Sequence, residues 1–275
     1  MNRLPTMQIA AVQLNMAWED KAANHQRLRD LLSAAKIQPG ALVIVPEMFE
    51  TGFSMNVQVT AQSEAREGEA LLRDLARQYD VAMMGGVASP VREGRSSNQC
   101  VVFAPDGTQL ARYQKMHPFS FTGEANHYTA GTSPVVFQWQ GVKITPFICY
   151  DLRFPEIFRP AILRGAELIT VIACWPAVRS EHWVRLLQAR AIENLAPVVG
   201  VNRCGEEPKL KFDGRSCAFD HMGNPLFEAS DQEQVIITEI DLEAARRWRS
   251  KFPALQDITG VDDSSVLDQS TPSGK

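Results

Sequence analysis

Val142-Lys143-Ile144-Thr145-Pro146-Phe147-Ile148-Cys149-Tyr150-Asp151-Leu152-Arg153-Phe154-Pro155-Glu156 is an apolar run that stops at a thiol and then turns polar. Such a run reads as a buried strand, and Pro155 favours a helix entry because its fixed φ suits a first helical turn. Cys149 therefore stands at a sharp strand-to-helix turn, where the free N–H groups of the helix would favour a thiolate. A lone cysteine at the end of an apolar strand is more often a small core residue, so the reading depends on the rest of the chain.

Upstream, Met7 to Leu14 reads as a strand and Lys21 to Lys36 as an amphipathic helix with Leu28, Leu31 and Leu32 inward. Pro39-Gly40 breaks that helix, and Ala41 to Val45 is a second buried strand. A helix over Gly68 to Tyr79 and a strand over Val81 to Val87 repeat the alternation. Gln99 to Phe103 and Thr108 to Tyr113 flank Pro105-Asp106-Gly107, and Val135 to Trp139 precedes Gln140-Gly141 and the opening run, so both pairs read as hairpins. Downstream come a helix over Pro155 to Arg164, a strand over Leu168 to Ile172, a helix over Ser180 to Leu195 and a strand over Val198 to Val201. Arg215 to Phe219 and Gln234 to Ile240 close the pattern around turn material at Asp220 to Pro225, before a short helix over Leu242 to Trp248. Parallel units mixed with hairpins predict an α/β fold with helices on the outer faces of its sheets. Residues 1–260 read as a single domain, followed by a polar tail, Val261 to Lys275.

The 275 residues are 45% hydrophobic and 22% charged, enough apolar chain to bury a large core without staples. Net charge is −4 and the basic residues are scattered, which argues against a nucleic-acid partner. The densest basic stretch, Arg246-Arg247 with Arg249 and Lys251, suits a helix C-terminus. Cysteines at 100, 149, 174, 204 and 217 form no C-x-x-C pair, which argues against a disulfide framework or a zinc cluster. Met1-Asn2-Arg3-Leu4-Pro5-Thr6 opens no apolar segment of signal-peptide or membrane-span length, so a cytoplasmic protein without a membrane partner is expected.

Three further polar residues share the placement of Cys149 or lie in a loop that would reach it. Glu47 follows Val43-Ile44-Val45-Pro46, Lys115 follows Leu110-Ala111-Arg112-Tyr113-Gln114, and Glu124 lies in the loop from Gly123 to Gly131. Taken singly, Glu47 and Glu124 read as surface carboxylates and Lys115 as a solvated cation. Converging at one sheet edge, a carboxylate, an ammonium and a thiol make a set fit for acyl transfer. His117 and His127 offer a rival Cys–His dyad.

The set Glu47, Lys115, Cys149 in that order resembles the nitrilase superfamily of carbon–nitrogen hydrolases. Pro46-Glu47, Lys115 with His117 and Phe119, Glu124 with Tyr128 and Gly131, and Cys149 to Glu156 carry the likeness, which runs from about Met7 to Ile258. Within it, Arg112 to Phe119 and Gly123 to Gly131 look most like the bacterial ω-amidases, or 2-oxoglutaramate amidases, of the YafV type. The resemblance implies a four-layer α-β-β-α sandwich, a homodimer, no metal or organic cofactor, and a small amide as substrate. It further implies Cys149 as nucleophile and Glu47 as general base, provided that burial and Glu124 make Glu47 basic enough. Lys115 and the backbone N–H of Tyr150 would stabilise the oxyanion, and Glu124 would orient Lys115, the water or the substrate amide. His117 becomes support for the Lys115 loop.

For the substrate end, Trp175 is a candidate pocket wall and Phe53 a candidate packing surface. Arg153 is a candidate for the carboxylate of a 2-oxo acid, or else a scaffold partner of Asp151 or Glu156. Cys174 reads as structural. Other amides, such as an N-carbamoyl amino acid or a deaminated peptide, stay open as substrates, and a noncatalytic interaction protein on the same scaffold is the reading of a different class.

Overall fold

In the computed structural model, which describes residues 6–260, the apolar runs become two six-stranded sheets. Strands β1 (Met7–Gln13), β2 (Leu42–Ile44), β3 (Ala82–Ala88), β4 (Asn98–Phe103) and β5 (Gln109–Gln114) cross the first in sequence order, and β14 (Gln234–Ile240) adds to its far edge beside β1. The second holds β6 (Phe137–Trp139), β7 (Val142–Ile148), β8 (Leu168–Ala173), β9 (Val198–Asn202), β12 (Cys217–Phe219) and β13 (Pro225–Glu228), in the order β13-β12-β9-β8-β7-β6. Each sheet has three parallel strands at its centre, β1-β2-β3 and β7-β8-β9, with antiparallel strands outside them.

Side chains alternate across each strand and so serve two different interiors. On β1, Ile9 and Ala11 join Ile144, Ile148 and Ile172 in the layer between the sheets, where Thr170 of β8 meets Met84 of β3. Ala10 and Val12 pack with Leu28 and Leu32 of α1 (Lys21–Ala34) and with Leu71, Leu72 and Leu75 of α3 (Glu67–Tyr79); α2 (Val57–Thr60) is a single turn between those helices. Phe158 and Ala161 of α4 (Phe158–Leu163) and Trp183, Leu187 and Ala191 of α5 (Ser180–Asn194) cover the second sheet. Each fully buried Leu or Phe in these layers stabilises the fold by about 2 kcal/mol. Helices, sheet, sheet and helices thus make the four-layer α-β-β-α order. Side-chain caps set two helix starts: Asp20 accepts from Ala23 N at α1, and Asp241 from Ala244 N at α6 (Leu242–Lys251).

Several elements differ from the sequence reading. The segment after Cys149 is no continuous helix over 155–164: 3-10 turns at Cys149–Arg153 and Pro155–Ile157 precede the six-residue α4. Pro160 lacks an N–H and fits only a first helical turn, which holds back the α-helix until Phe158. Pro225, taken as turn material, begins the edge strand β13, where a missing donor is tolerated. A hairpin of β10 (Cys204–Glu207) and β11 (Leu210–Asp213) occupies a stretch given no element. The polar tail 261–275 lies outside the described residues. No helix among those described is long and apolar enough to cross a membrane.

Candidate active site

Strand ends deliver the three key side chains. Glu47 follows β2, Lys115 follows β5 and Cys149 follows β7, so both sheets contribute. Two of these exits are tight: Met48 has φ +45° and Cys149 φ +47°, a left-handed conformation that costs a residue with a Cβ about 1 kcal/mol. Glycine permits the close approaches behind them. A Cβ on Gly86 of β3 would lie 2.5 Å from the Glu47 Cα, and one on Gly131 would lie 2.2 Å from the Gln114 carbonyl oxygen. Gly131 N instead donates to the Lys115 carbonyl at 2.8 Å.

The Lys115 ammonium is the hub. Its Nζ lies 3.0 Å from Glu47 Oε1 and 2.9 Å from Glu124 Oε2, and all three side chains are buried. Asn98 Nδ2 donates to Glu47 Oε1 at 2.7 Å and to Glu124 Oε1 at 3.0 Å, tying the carboxylates together. The second oxygen of Glu47 accepts from Cys174 N at 2.8 Å, and Phe119 N donates to Glu124 Oε2. The Cys149 thiol stands close enough to the Glu47 carboxylate to feel its charge. Glu124 therefore locks Lys115 in place and is no surface residue, while Glu47 faces both ammonium and thiol.

The charges decide the resting state of the sulfur. Burial pushes the Cys149 thiol well above its usual range and Glu47 adds to the rise, with Lys115 pulling only partly the other way. Burial also disfavours the Lys115 cation, but Glu124 and Glu47 outweigh it and hold the amine well above its ordinary value. One ammonium already faces two carboxylates, so a third negative charge has no counterion. The expectation of a helix-stabilised thiolate is corrected: the turn is 3-10, and Cys149 rests as a thiol whose proton has a carboxylate to go to.

Asp151 anchors the turn that carries the sulfur. Fully buried, it accepts from Tyr113 Oη at 2.7 Å, His117 N at 2.9 Å and Ile148 N at 3.1 Å. His117 Nδ1 lies 3.1 Å from the same carboxylate, and its ring stacks on Phe154 at 3.9 Å. His117 is thus bonded to the anchor, as support for the loop. Asp151→Ala orphans a buried phenol and two amides, and is expected to cost about 3 kcal/mol, read as a lower urea midpoint, together with most of the activity; Asp151→Asn should recover part of the stability.

Above Cys149 opens a cleft whose walls include Phe53, Phe119, Tyr150 and Trp175, with Leu210 and Phe212 from the β10–β11 hairpin. Phe53 lies 4.9 Å from the Lys115 Nζ, a cation–π contact, and Trp175 is nearly buried. Arg153 also lines the cleft. It is paired with neither Asp151 nor Glu156: its Cζ lies 4.9 Å over the Trp175 ring and its Nη2 3.1 Å from His182 Nδ1.

Sequence reasoning missed Asn98, whose only signal was an amide opening β4, and Arg179, which reaches the cleft from the 3-10 turn Ala177–Arg179. It undervalued Cys174, whose backbone N–H and thiol both bond to Glu47. Behind them, Arg203 is buried against Glu207 at 3.2 Å. Burial, opposed by Arg203 and reinforced by Glu47, pushes the Glu207 carboxyl up to about 7.

The carbon–nitrogen hydrolase family model matches residues 8–250, and the chain belongs to that family. An ω-amidase YafV from Yersinia enterocolitica is 37% identical over 92% of this chain and 97% of its own length. A 2-oxoglutaramate amidase from Bacillus subtilis is 30% identical over 91% of this chain and 96% of its own. Among solved structures, a CN-hydrolase superfamily protein from Xanthomonas campestris, with an arsenic adduct in its active site, superposes with a TM-score of 0.87 at 34% identity, covering 94% of this chain and 98% of that one.

Proposed function

We propose that the protein is an amidohydrolase that cleaves ω-amides of 2-oxo acids, such as 2-oxoglutaramate and 2-oxosuccinamate, to the dicarboxylate and ammonia through a Cys149 thioester. The observation that carries this reading is the buried Glu47 carboxylate, held 3.0 Å from the Lys115 ammonium and close to the Cys149 thiol, which lines an apolar cleft. Names borne by relatives alike over nearly their whole length support the substrate class.

As sulfur attacks the amide carbon, its proton passes to Glu47, so no net charge is added to the buried cluster. The developing oxyanion meets the Lys115 ammonium and the N–H of Tyr150, which as second residue of its 3-10 turn has no acceptor within that turn. Preorganised donors of this kind each contribute about 3 kcal/mol of barrier lowering. Glu47 returns the proton to the leaving nitrogen, and ammonia departs. Water then gives a proton to Glu47 and its oxygen to the acyl carbon; the C–S bond breaks and the thiol is restored. Glu124 keeps Lys115 charged and aimed. In this reading the enzyme works in the cytoplasm as a homodimer and needs no cofactor.

Ammonia release across 2-oxoglutaramate, 2-oxosuccinamate, an N-carbamoyl amino acid, a deaminated peptide and a nitrile tests the proposal. The 2-oxo amides are expected to give the highest kcat/KM, and acid quenching should trap the acyl mass on the Cys149 peptide. A faster N-carbamoyl substrate would overturn the substrate class, and a folded protein that releases ammonia from none of them would overturn the reaction.

A further inference from the structure

Two guanidinium groups face the cleft above the thiol, and neither meets a carboxylate among the described residues. This is unlike Arg66, Arg112, Arg190, Arg203, Arg215 and Arg246, each of which is held by a Glu. Arg153 lies over one face of Trp175 and meets only the neutral-capable His182. Arg179 is set at the edge of the same ring by its backbone: its N–H donates to Pro176 O at 3.0 Å and its carbonyl accepts the Trp175 indole N–H at 2.8 Å. Its Cζ lies 5.5 Å over the Phe119 ring, which sits 4.8 Å from the ring of Tyr150 beside the nucleophile. Aromatic rings hold these cations at the cleft, and apart from the Arg153 Nη2 contact with His182 their in-plane N–H groups meet no acceptor among the described residues.

We propose that Arg179, acting with Arg153, reads the 2-oxo carboxylate end of the substrate and makes the site reject 2-ammonio analogues such as glutamine. The inference rests on the proposed amidase function and names the device behind its substrate class. A 2-oxo acid presents a carboxylate and a carbonyl oxygen, acceptors only, to guanidiniums that are donors only. A 2-ammonio acid of the same length puts a cation and three donors in place of the carbonyl, which sets like charge against like charge. The apolar stem of the substrate then lies along Phe53 and Trp175, with its amide over Cys149.

The test compares wild type, Arg179→Met, Arg179→Lys and Arg153→Met on 2-oxoglutaramate, glutamine and pentanamide, an uncharged amide of equal carbon count. In Arg179→Met the ratio of kcat/KM for 2-oxoglutaramate to that for pentanamide is expected to fall about 100-fold, mainly through KM. The ratio for glutamine to 2-oxoglutaramate should rise, and Arg179→Lys should recover part of the first ratio. In the Cys149→Ala background, calorimetry should show 2-oxoglutarate binding weakened by Arg179→Met to a similar degree. Unchanged ratios in Arg179→Met, or equal losses on the charged and uncharged amides, would overturn the role of Arg179 and leave the amidase reading intact. A wild-type enzyme that hydrolyses pentanamide but not 2-oxoglutaramate would overturn both.

Discussion

Cys149→Ala is expected to release no ammonia above the uncatalysed background from any amide the wild type accepts, a loss of roughly 10⁵-fold in kcat. The size of the effect follows from the charge balance. With the sulfur gone, Glu47 keeps its bonds to Lys115, Asn98 and the Cys174 amide, so a water at the vacated position would meet the same base. Water is, however, a poorer nucleophile toward an unactivated amide and would have to form the tetrahedral centre in one step. The fold should survive, because the change removes one partly buried atom and alanine retains the Cβ that already stands at φ +47°. Cys174→Ala is the matched control: its backbone N–H still donates to Glu47, only the thiol bond to the Glu47 carbonyl is lost, and a substantial rate should remain. Steady-state ammonia assays and thermal melts on both variants check the pair; a Cys149→Ala protein with appreciable turnover would end the thioester mechanism.

The legible parts of the molecule are those in which one local rule suffices. A strand buried on both faces is a run of apolar residues, so β2, β7 and β8 stand out in the sequence, and Pro39-Gly40 or Asp106-Gly107 mark where the chain turns. The β10–β11 hairpin escaped because Glu206, Glu207, Lys209 and Lys211 look like solvated loop; only Leu210 and Phe212, two apart, betray a strand with one face against the cleft. Within the site, Glu47, Lys115 and Cys149 are legible by their positions past apolar runs. The partners that make them work are not. Asn98 matters because β4 brings its amide between two carboxylates 51 and 26 residues away, and no periodicity encodes that meeting. Arg179 follows Trp175-Pro176 in an unremarkable loop, and only the coordinates put its guanidinium over Phe119. The thiolate expectation failed for the same reason: a strand-to-turn junction suggests helix dipoles, but the charge on a buried sulfur is set by groups distant in sequence.

Lys115→Met should be the second most damaging change, and it acts twice. Its ammonium is the sole cation bonded to both Glu47 and Glu124 among the described residues; without it, two buried carboxylates face each other across the Asn98 amide. Removing one partner of a buried ionic cluster costs about 3–5 kcal/mol, and like charges so placed do not both stay ionised, so one carboxylate takes up a proton. If that proton settles on Glu47, the base can no longer accept one from Cys149; if it settles on Glu124, the oxyanion still lacks its ammonium. Either way turnover should fall at least about 10³-fold, with a lowered melting temperature. The double variant Lys115→Met/Glu124→Gln separates the two effects. Removing the second carboxylate relieves the repulsion, so most of the lost stability should return, as read by urea unfolding. The rate should not return with it, because the cation that meets the oxyanion is still missing. Recovery of both together would mean that Lys115 serves only to neutralise its neighbours.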